Sequence, residues 1–391
     1  MHLSINRELF LKAISLVVKA ADKRHNMVIL GNLKLQLTDS HLVLTASDLE
    51  VQLTVAVDLP QGAVIQTGDI TLPADKLRDI CKLLPSNAQI NLVTQSNERC
   101  LITSDKSRFT LGTLPAGDYP ILGDPENITP ITITHKDLSE LIGKTQFAMA
   151  IQDVRYYLTG MYFDISERKL TTVATDGHRL ALAQRAIEVA DDHKLEAILP
   201  RKAVSELDRL LGEQGKLLNS PENQITLQFG REFMQVVLPF GNVDSTGQID
   251  SSTQVTFTAR LIDGKFPDYR RVMPSNSDKQ AILNQAHLTD VLRRVSILSN
   301  EKSRGVIFNF ASDGVIEVRA NNAEQDEAIE KLTAKYTGES LELSFNVQYV
   351  QDVLDVLQGD VAIQMSQANA SVLVTQHGDH LHQYVIMPMR I

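Results

Sequence analysis

Three stretches of the 391-residue chain follow one plan. Leu30-Gly31-Asn32-Leu33, Leu158-Thr159-Gly160-Met161 and Arg304-Gly305-Val306 each open an alternating run, and the runs lead to Ala46-Ser47-Asp48, Ala174-Thr175-Asp176 and Ala320-Asn321-Asn322. The spacing from Gly to Ala is 15, 14 and 15 residues. Self-similarity of this kind means that one supersecondary unit is used three times. Leu33 to Leu37, Met161 to Ile165 and Val306 to Phe310 alternate with period two and end in polar turns, so each copy predicts a strand, a turn and an antiparallel strand. A closing mark recurs as well. Phe109-Thr110 runs on to Leu114, Tyr119 and Pro120, as Phe257-Thr258 runs on to Leu261, Phe266 and Pro267.

Each copy also carries two short amphipathic helices. In the first, Leu9, Ala13, Leu16 and Val17 share a face behind Asn6 as a cap, and Leu77, Ile80, Cys81 and Leu84 share another between Pro73 and Pro85. The second copy has Leu138, Leu141 and Ile142, then Val204, Leu207 and Leu211 after Pro200. The third has Leu288, Val291, Leu292 and Val295, then Val347, Val350, Leu354 and Leu357. A helix with one apolar stripe must cover a sheet on that side, so the fold class is α+β: three repeated domains, each of two helices packed on antiparallel β-sheet. Three unrelated α+β domains are the alternative, and the matched spacing argues against them. Pro and Gly between Asp124 and Pro130, and Pro, Ser and Asn between Pro274 and Asp278, place the boundaries at 1–125, 126–274 and 275–391. Within the second domain, Pro239 to Ser252 is rich in Gly, Ser and Asp and reads as a long exposed hairpin loop, about 239–252.

A length prior of about 150 residues per domain agrees with two or three domains. Absence of Trp and an aromatic content of 5% argue against a stacking surface for single-stranded nucleic acid. Cys81 and Cys100 have neither zinc-ligand nor disulfide-framework spacing and read as core residues. With no targeting leader and no long apolar run, the expected place is the cytoplasm, with no membrane partner. The net charge of -10 opposes any protein that grips DNA by neutralising many phosphates. A DNA role would have to retain the duplex in another way.

The GxxxxGK[ST] phosphate loop, the HExxH helix, the EF-hand loop and the GxSxG elbow are all missing from the sequence, so no catalytic residue, cofactor or metal is expected. The densest chemical cluster is Thr175-Asp176-Gly177-His178-Arg179. A hydrolase centred on Asp176 and His178 is the enzymatic alternative, but it needs a further acid, base or metal ligand that no diagnostic spacing supplies. A glycine at a strand reversal explains Asp176-Gly177 without catalysis. The other two copies lack the His-Arg pair, so this turn carries a local function. The C-terminal run from Tyr384 to Ile391 is unusually apolar. Tyr384 to Ile386 reads equally well as a final core strand. Met387 and Met389 suit an adaptable surface that receives several peptides, with Leu158, Gly177 to Leu180 and Val272 as candidate walls.

The blocks Ile29-Leu30-Gly31-Asn32, Gln152-Asp153-Val154-Arg155-Tyr156-Tyr157-Leu158, Ala174-Thr175-Asp176-Gly177-His178-Arg179-Leu180-Ala181, Phe266-Pro267-Asp268-Tyr269-Arg270-Arg271-Val272, Leu298-Ser299-Asn300-Glu301-Lys302 and Met387-Pro388-Met389-Arg390 closely resemble the bacterial DNA polymerase III beta subunit family, the beta sliding clamps. The likeness runs from the first helix to the last residue. It implies three domains of one fold in a head-to-tail dimer that forms a closed ring. It further implies a non-catalytic processivity factor that encircles duplex DNA without reading sequence, in the cytoplasm and on the nucleoid during replication. The acidic charge then makes sense, because a ring retains DNA by topology. The six helical segments together carry a net positive charge, and the remainder is more acidic than the chain as a whole.

Position by position, the resemblance implies DNA-facing roles for Lys12, Arg24, Lys82, Gln152, Arg201 and Lys202, each of which also reads as an ordinary solvated residue. It implies a dimer seam of Lys76, Arg108, Phe109 and Leu111 on one subunit against Ile297, Leu298, Asp326, Glu327 and Glu330 on the other, a basic and apolar edge meeting an acidic and apolar one. A partner-peptide groove is implied at Arg155, Tyr157, Leu158, Thr175, Gly177, His178, Arg179, Leu180, Pro267, Arg271, Val272, Asn346, Tyr349, Ser371, Ile386, Met387, Pro388, Met389 and Arg390. Its ligands in the family are short linear motifs, with a Gln and apolar residues, from the DNA polymerase III alpha subunit, the clamp loader, other polymerases and repair proteins. Composition and periodicity alone leave a repeat scaffold with no DNA role equally open.

Overall fold

The computed structural model describes residues 1–126, 130–217, 223–239 and 253–389. Residues 240–252 of the expected loop, residues 127–129 of the first boundary, and Arg390 lie outside that range. The chain gathers into two compact units, Met1–Ser139 with Lys202–Ile262, and Glu140–Arg201 with Asp263–Ile391. The first unit contains a five-stranded and an eight-stranded sheet, the second a nine-stranded and a four-stranded one.

Six α-helices occur among the described residues: α1 (Arg7–Val17), α2 (Ala74–Leu83), α3 (His135–Gly143), α4 (Arg201–Leu217), α5 (Gln285–Val295) and α6 (Val347–Asp355). Asparagine side chains cap three of them, Asn6 accepting from the N–H groups of Glu8 and Leu9, Asn284 from that of His287, and Asn346 from that of Gln348. Each cap satisfies donors that a helix start leaves orphaned. α1 buries Phe10 and Ile14 besides the expected Ala13, Leu16 and Val17, and lies against α2 and the strands His41–Ser47 and Val51–Asp58. α5 packs in the same way on α6 and the strands Val315–Asn321 and Glu327–Thr333. α4 continues to Leu217, beyond the periodic signal that ends at Leu211.

The internal repeat is visible bond by bond. The opening strands Asn32–Leu37, Gly160–Ser166 and Gly305–Phe310 pair antiparallel with His41–Ser47, Lys169–Thr175 and Val315–Asn321. In the first two copies the next turn has one geometry. Ser47 Oγ accepts from the Leu49 N–H and Thr175 Oγ1 from the Gly177 N–H, while Asp48 and Asp176 each accept from two further backbone N–H groups. The central residue is left-handed in both, with φ of 74° at Leu49 and 89° at Gly177. Glycine adopts that conformation without penalty, whereas leucine is strained there.

The strand after each turn receives a strand from further along the chain. Val51–Asp58 pairs with Thr253–Arg260, and Arg179–Ala186 with His382–Ile386. Arg260 N–H donates to Glu50 O and Met387 N–H to His178 O, both at 2.9 Å. The third copy differs. Among the described residues Glu327–Thr333 has Val315–Asn321 on one side and nothing on the other. Ser107–Gly112, which holds in the first copy the place that Thr253–Arg260 and His382–Ile386 hold in the next two, is likewise an edge, paired with Arg99–Ser104 alone. One donating strand and one accepting strand are left over.

Candidate functional site

A cleft of about 210 Å³ opens in the second unit beside the Thr175 to Arg179 turn. Leu158, Leu180, Pro267, Val272 and Met387 supply its apolar surface, and Arg155, Thr175, Gly177 and Arg179 its polar side. Local structure explains how these distant residues meet. A short 3-10 turn, Tyr156–Leu158, delivers Leu158, and the strand register sets Leu180 opposite Val385 and Arg179 opposite Ile386. The bond from Met387 N–H to His178 O then lays the tail along the turn, and Met389 N–H donates to Ser344 O at 2.7 Å.

Arg155 is held firmly. Asp153 accepts from its Nε at 3.0 Å and from its Nη2 at 2.7 Å, and Nη2 also donates to Asp176 O at 3.1 Å. Hydrogen bonds from the Arg155 side chain and backbone hold the Asp153 carboxyl well below its usual range, at about 2. The same pairing raises the guanidinium pKa.

Arg179 is enclosed between the rings of Phe147, 5.2 Å from the centroid, and Tyr349, 4.7 Å away. It forms ion pairs with Asp176 at 3.2 Å and with Asp352. The His178 ring stacks on Tyr349 at 6.2 Å and 17°. Asp176 therefore spends its carboxylate on the backbone of its own turn and on Arg179, and His178 faces an aromatic ring. No acid-base pair is formed between them. Among the described residues no cluster of His, Cys, Asp or Glu is arranged to hold a metal ion.

The remaining groove positions fall around the cleft and not on its lining. Tyr157 is half-buried with Tyr156 edge-on to it, Arg271 is exposed and paired with Asp268, Asn346 caps α6, and Tyr349 covers Arg179. Ser371 and Pro388 are half-buried, and Met389 is tied to Ser344. Ile386, 1% exposed, is held in sheet register between Arg179 and Val372. Four lining residues were not singled out from the sequence: Phe266, Asp268, Tyr269 and Val385. The first three belong to the segment Phe266 to Val272, and Val385 lies in a run that also reads as core.

Of the residues implied to face DNA, Arg24 and Lys82 are exposed in the first unit and Lys12 is half-buried on α1. Lys202 is not a free cation, since its ammonium pairs with Asp48 at 2.6 Å and Glu50 at 3.7 Å. In the second unit Gln152 is exposed with φ of 53°, and Arg201 donates to Met149 O at 3.0 Å. Of the seam residues, Lys76 is exposed on α2, and Arg108, Phe109 and Leu111 lie on the edge strand Ser107–Gly112. Ile297 is 76% exposed beside Leu298, Asp326 and Glu327 are exposed, and Glu330 holds Arg294 through two 2.6 Å bonds.

Three family models cover nearly the whole chain: the N-terminal, central and C-terminal domains of the DNA polymerase III beta subunit, over residues 1–123, 132–268 and 270–390. A beta sliding clamp of Vibrio cholerae is 41% identical and one of Pseudomonas putida 39%, each match covering 100% of both chains. The crystal structure of the DNA polymerase III beta subunit of Pseudomonas aeruginosa superposes with a TM-score of 0.90 at 38% identity, again over 100% of both chains. The sliding clamp of that organism has also been solved bound to griselimycin. Three domains of one helix-on-sheet plan, two of them joined to the next by a shared strand, define a clamp-type protein. The chain belongs to the DNA polymerase III beta subunit family, the non-catalytic sliding clamps.

Proposed function

We propose that this chain is a DNA sliding clamp, a processivity factor that closes head to tail with a second copy around duplex DNA and tethers the replicative polymerase to it. The observation that carries the reading is the pair of leftover strands. Internal junctions are made by adding a strand from one domain to the free edge of the domain before it. The same operation between copies joins Ser107–Gly112 of one protomer to Glu327–Thr333 of the next. This contact is heterologous, and it makes a ring where the rotation from one copy to the next closes.

The repeat even supplies the register. Gln52 and Leu180, which pair with Ser47 and Thr175, receive Thr258 and Val385. The residue matching them in the third copy is Glu327, opposite Asn321, and the donor matching Thr258 is Thr110. Thr110 then faces Glu327, and Phe109 faces Ala328. Phe109 and Ala328 are both half-buried positions on the inward side of their strands.

Enclosure reconciles DNA with a net charge of -10, because a protein that slides needs few phosphate contacts. Arg24, Lys82 and Gln152 are the exposed residues offered for that light contact. The cleft beside Gly177 is the site for short motifs of the polymerase alpha subunit, the clamp loader, other polymerases and repair proteins. Its apolar walls with a few convergent polar groups support this reading, as does the griselimycin-bound relative. Domain limits near residues 125 and 274 and work on the nucleoid in the cytoplasm complete the proposal. No helix among the described residues is long and apolar enough to cross a membrane.

The test is retention. A loaded clamp stays on nicked circular DNA and runs off once that DNA is cut to a linear form. Equal retention on both forms, or none on either, leaves only the scaffold reading.

A further inference from the structure

The wall of the cleft that carries Pro267 and Val272 is a segment without regular structure apart from the turn Tyr269–Val272. Its position is fixed from beneath by Gly160–Ser166. Side chains two residues apart on a strand share a face, and here Tyr162 and Asp164 both meet the segment. Tyr162 stacks on Phe266 at 4.6 Å and 7°, and Asp164 accepts from Tyr269 Oη at 2.9 Å and from Arg270 Nη2 at 2.6 Å. Asp164 is only 5% exposed and does not line the cleft. A carboxylate withdrawn from water at that depth is costly unless its partners compensate.

The scaffold does not require this charge. The strand register places Gln36 and Asn309 at the matching positions of the other two copies. Gln36 bonds to Asp69 on its neighbouring strand, and Asn309 is exposed. Only the copy that owns the cleft buries a carboxylate there. In the first copy the closing segment is held by Tyr119, whose hydroxyl accepts from Ser47 N–H and donates to Asn32 O.

We propose that Asp164 is a positioning residue for the cleft: through Tyr269 and Arg270 it fixes the Phe266 to Val272 wall in the shape that receives a peptide, without touching the ligand. The inference rests on the groove reading. An unanchored wall must be ordered at the moment of binding, and that cost appears as lost affinity.

The probe is a fluorescein-labelled short peptide bearing one Gln and three Leu, titrated against the full chain. Asp164→Asn keeps the volume but removes the charge, and is expected to bind roughly tenfold more weakly, the cost of ordering one or two side chains. Hydrogen exchange should quicken in residues 266–272 and return to the wild-type rate at saturating peptide. A general loss of structure would not be restored that way. Tyr269→Phe should give a similar loss, and the double variant little more than either. Arg270→Met, at the surface, carries the same test if Asp164→Asn fails to fold. Wild-type affinity and exchange in these variants overturn the positioning role alone, provided that Val272→Glu still abolishes binding. No binding to the wild-type chain, or undiminished binding to Val272→Glu, defeats the groove reading and the positioning role with it.

Discussion

The guanidinium of Arg155 occupies the space into which a side chain at Gly177 would project, 2.9 Å from where its Cβ would stand. Gly177 is thus fixed twice, by its left-handed backbone and by the arginine that lies against it. Gly177→Ala should displace Arg155 and weaken binding of the labelled peptide by about tenfold or more, the scale of a lost charge-assisted contact. Folding should survive at a cost of about 1 kcal/mol, because the left-handed backbone is disfavoured for any residue with a Cβ. The leucine at the same point of the first copy, Leu49, with φ of 74°, shows that this turn can carry a side chain. Calorimetric melting beside peptide titration separates the two effects.

The clasp between Asp153 and Arg155 sets a pH window. The folded carboxyl lies at about 2, below an unfolded value of about 3.9. Its contribution is therefore fully present above the unfolded value and is lost as the pH falls through the folded one. The clasp's share of the folding stability, read as Tm, should stay level from pH 8 to about 5 and decline only on further acidification. Asp153→Asn should remove that acid limb. A decline already complete at pH 5 contradicts the assignment.

Strand register at the proposed seam can be tested by covalent trapping. Directly opposite residues on antiparallel strands bring their Cβ atoms close enough for a disulfide. Phe109→Cys combined with Ala328→Cys should yield a dimer that survives denaturing, non-reducing electrophoresis, whereas Thr110→Cys with Ala328→Cys, one residue out of register, should not. A ladder of longer species instead of a dimer would mean that the contact does not close. The native thiols will not confuse the result. Burial raises Cys81 to about 12 and Cys100 to about 11, leaving little reactive thiolate.

Lys202 and Arg24 should behave differently. Lys202→Ala strips a partner from the buried Asp48 and should lower stability by about 1 kcal/mol, seen as a lower Tm. Arg24→Ala should leave Tm unchanged and shorten residence on DNA at low salt, the difference fading as salt rises. Equal Tm losses in both would remove the distinction.

Much of the architecture was legible because it is local and repeated. Asn6 announces α1, and the Ser47, Thr175 and Asn321 turns announce themselves through polar residues after an alternating strand. The Phe-Thr pair at 109 and 257 marks the closing strand of its copy. What the sequence concealed was long-range. Asp164 meets Tyr269 across 105 residues, and nothing near Asp164 reveals that its carboxylate is buried. Lys202 reads as a solvated cation until the fold brings Asp48 and Glu50 to it. Ile386 shares the apolar tail with Met387, yet only sheet pairing assigns the first to the interior and the second to the cleft.

Two bare sheet edges are a hazard for any protein, since each offers unpaired N–H and C=O groups to whatever strand comes near. In the proposed dimer Ser107–Gly112 and Glu327–Thr333 would each answer that hazard for the other. There a copy that finds its twin would cover both of these edges in one event. The proposed seam would thus also keep these two edges from pairing at random, and variants that open it should be judged by precipitation as well as by lost processivity.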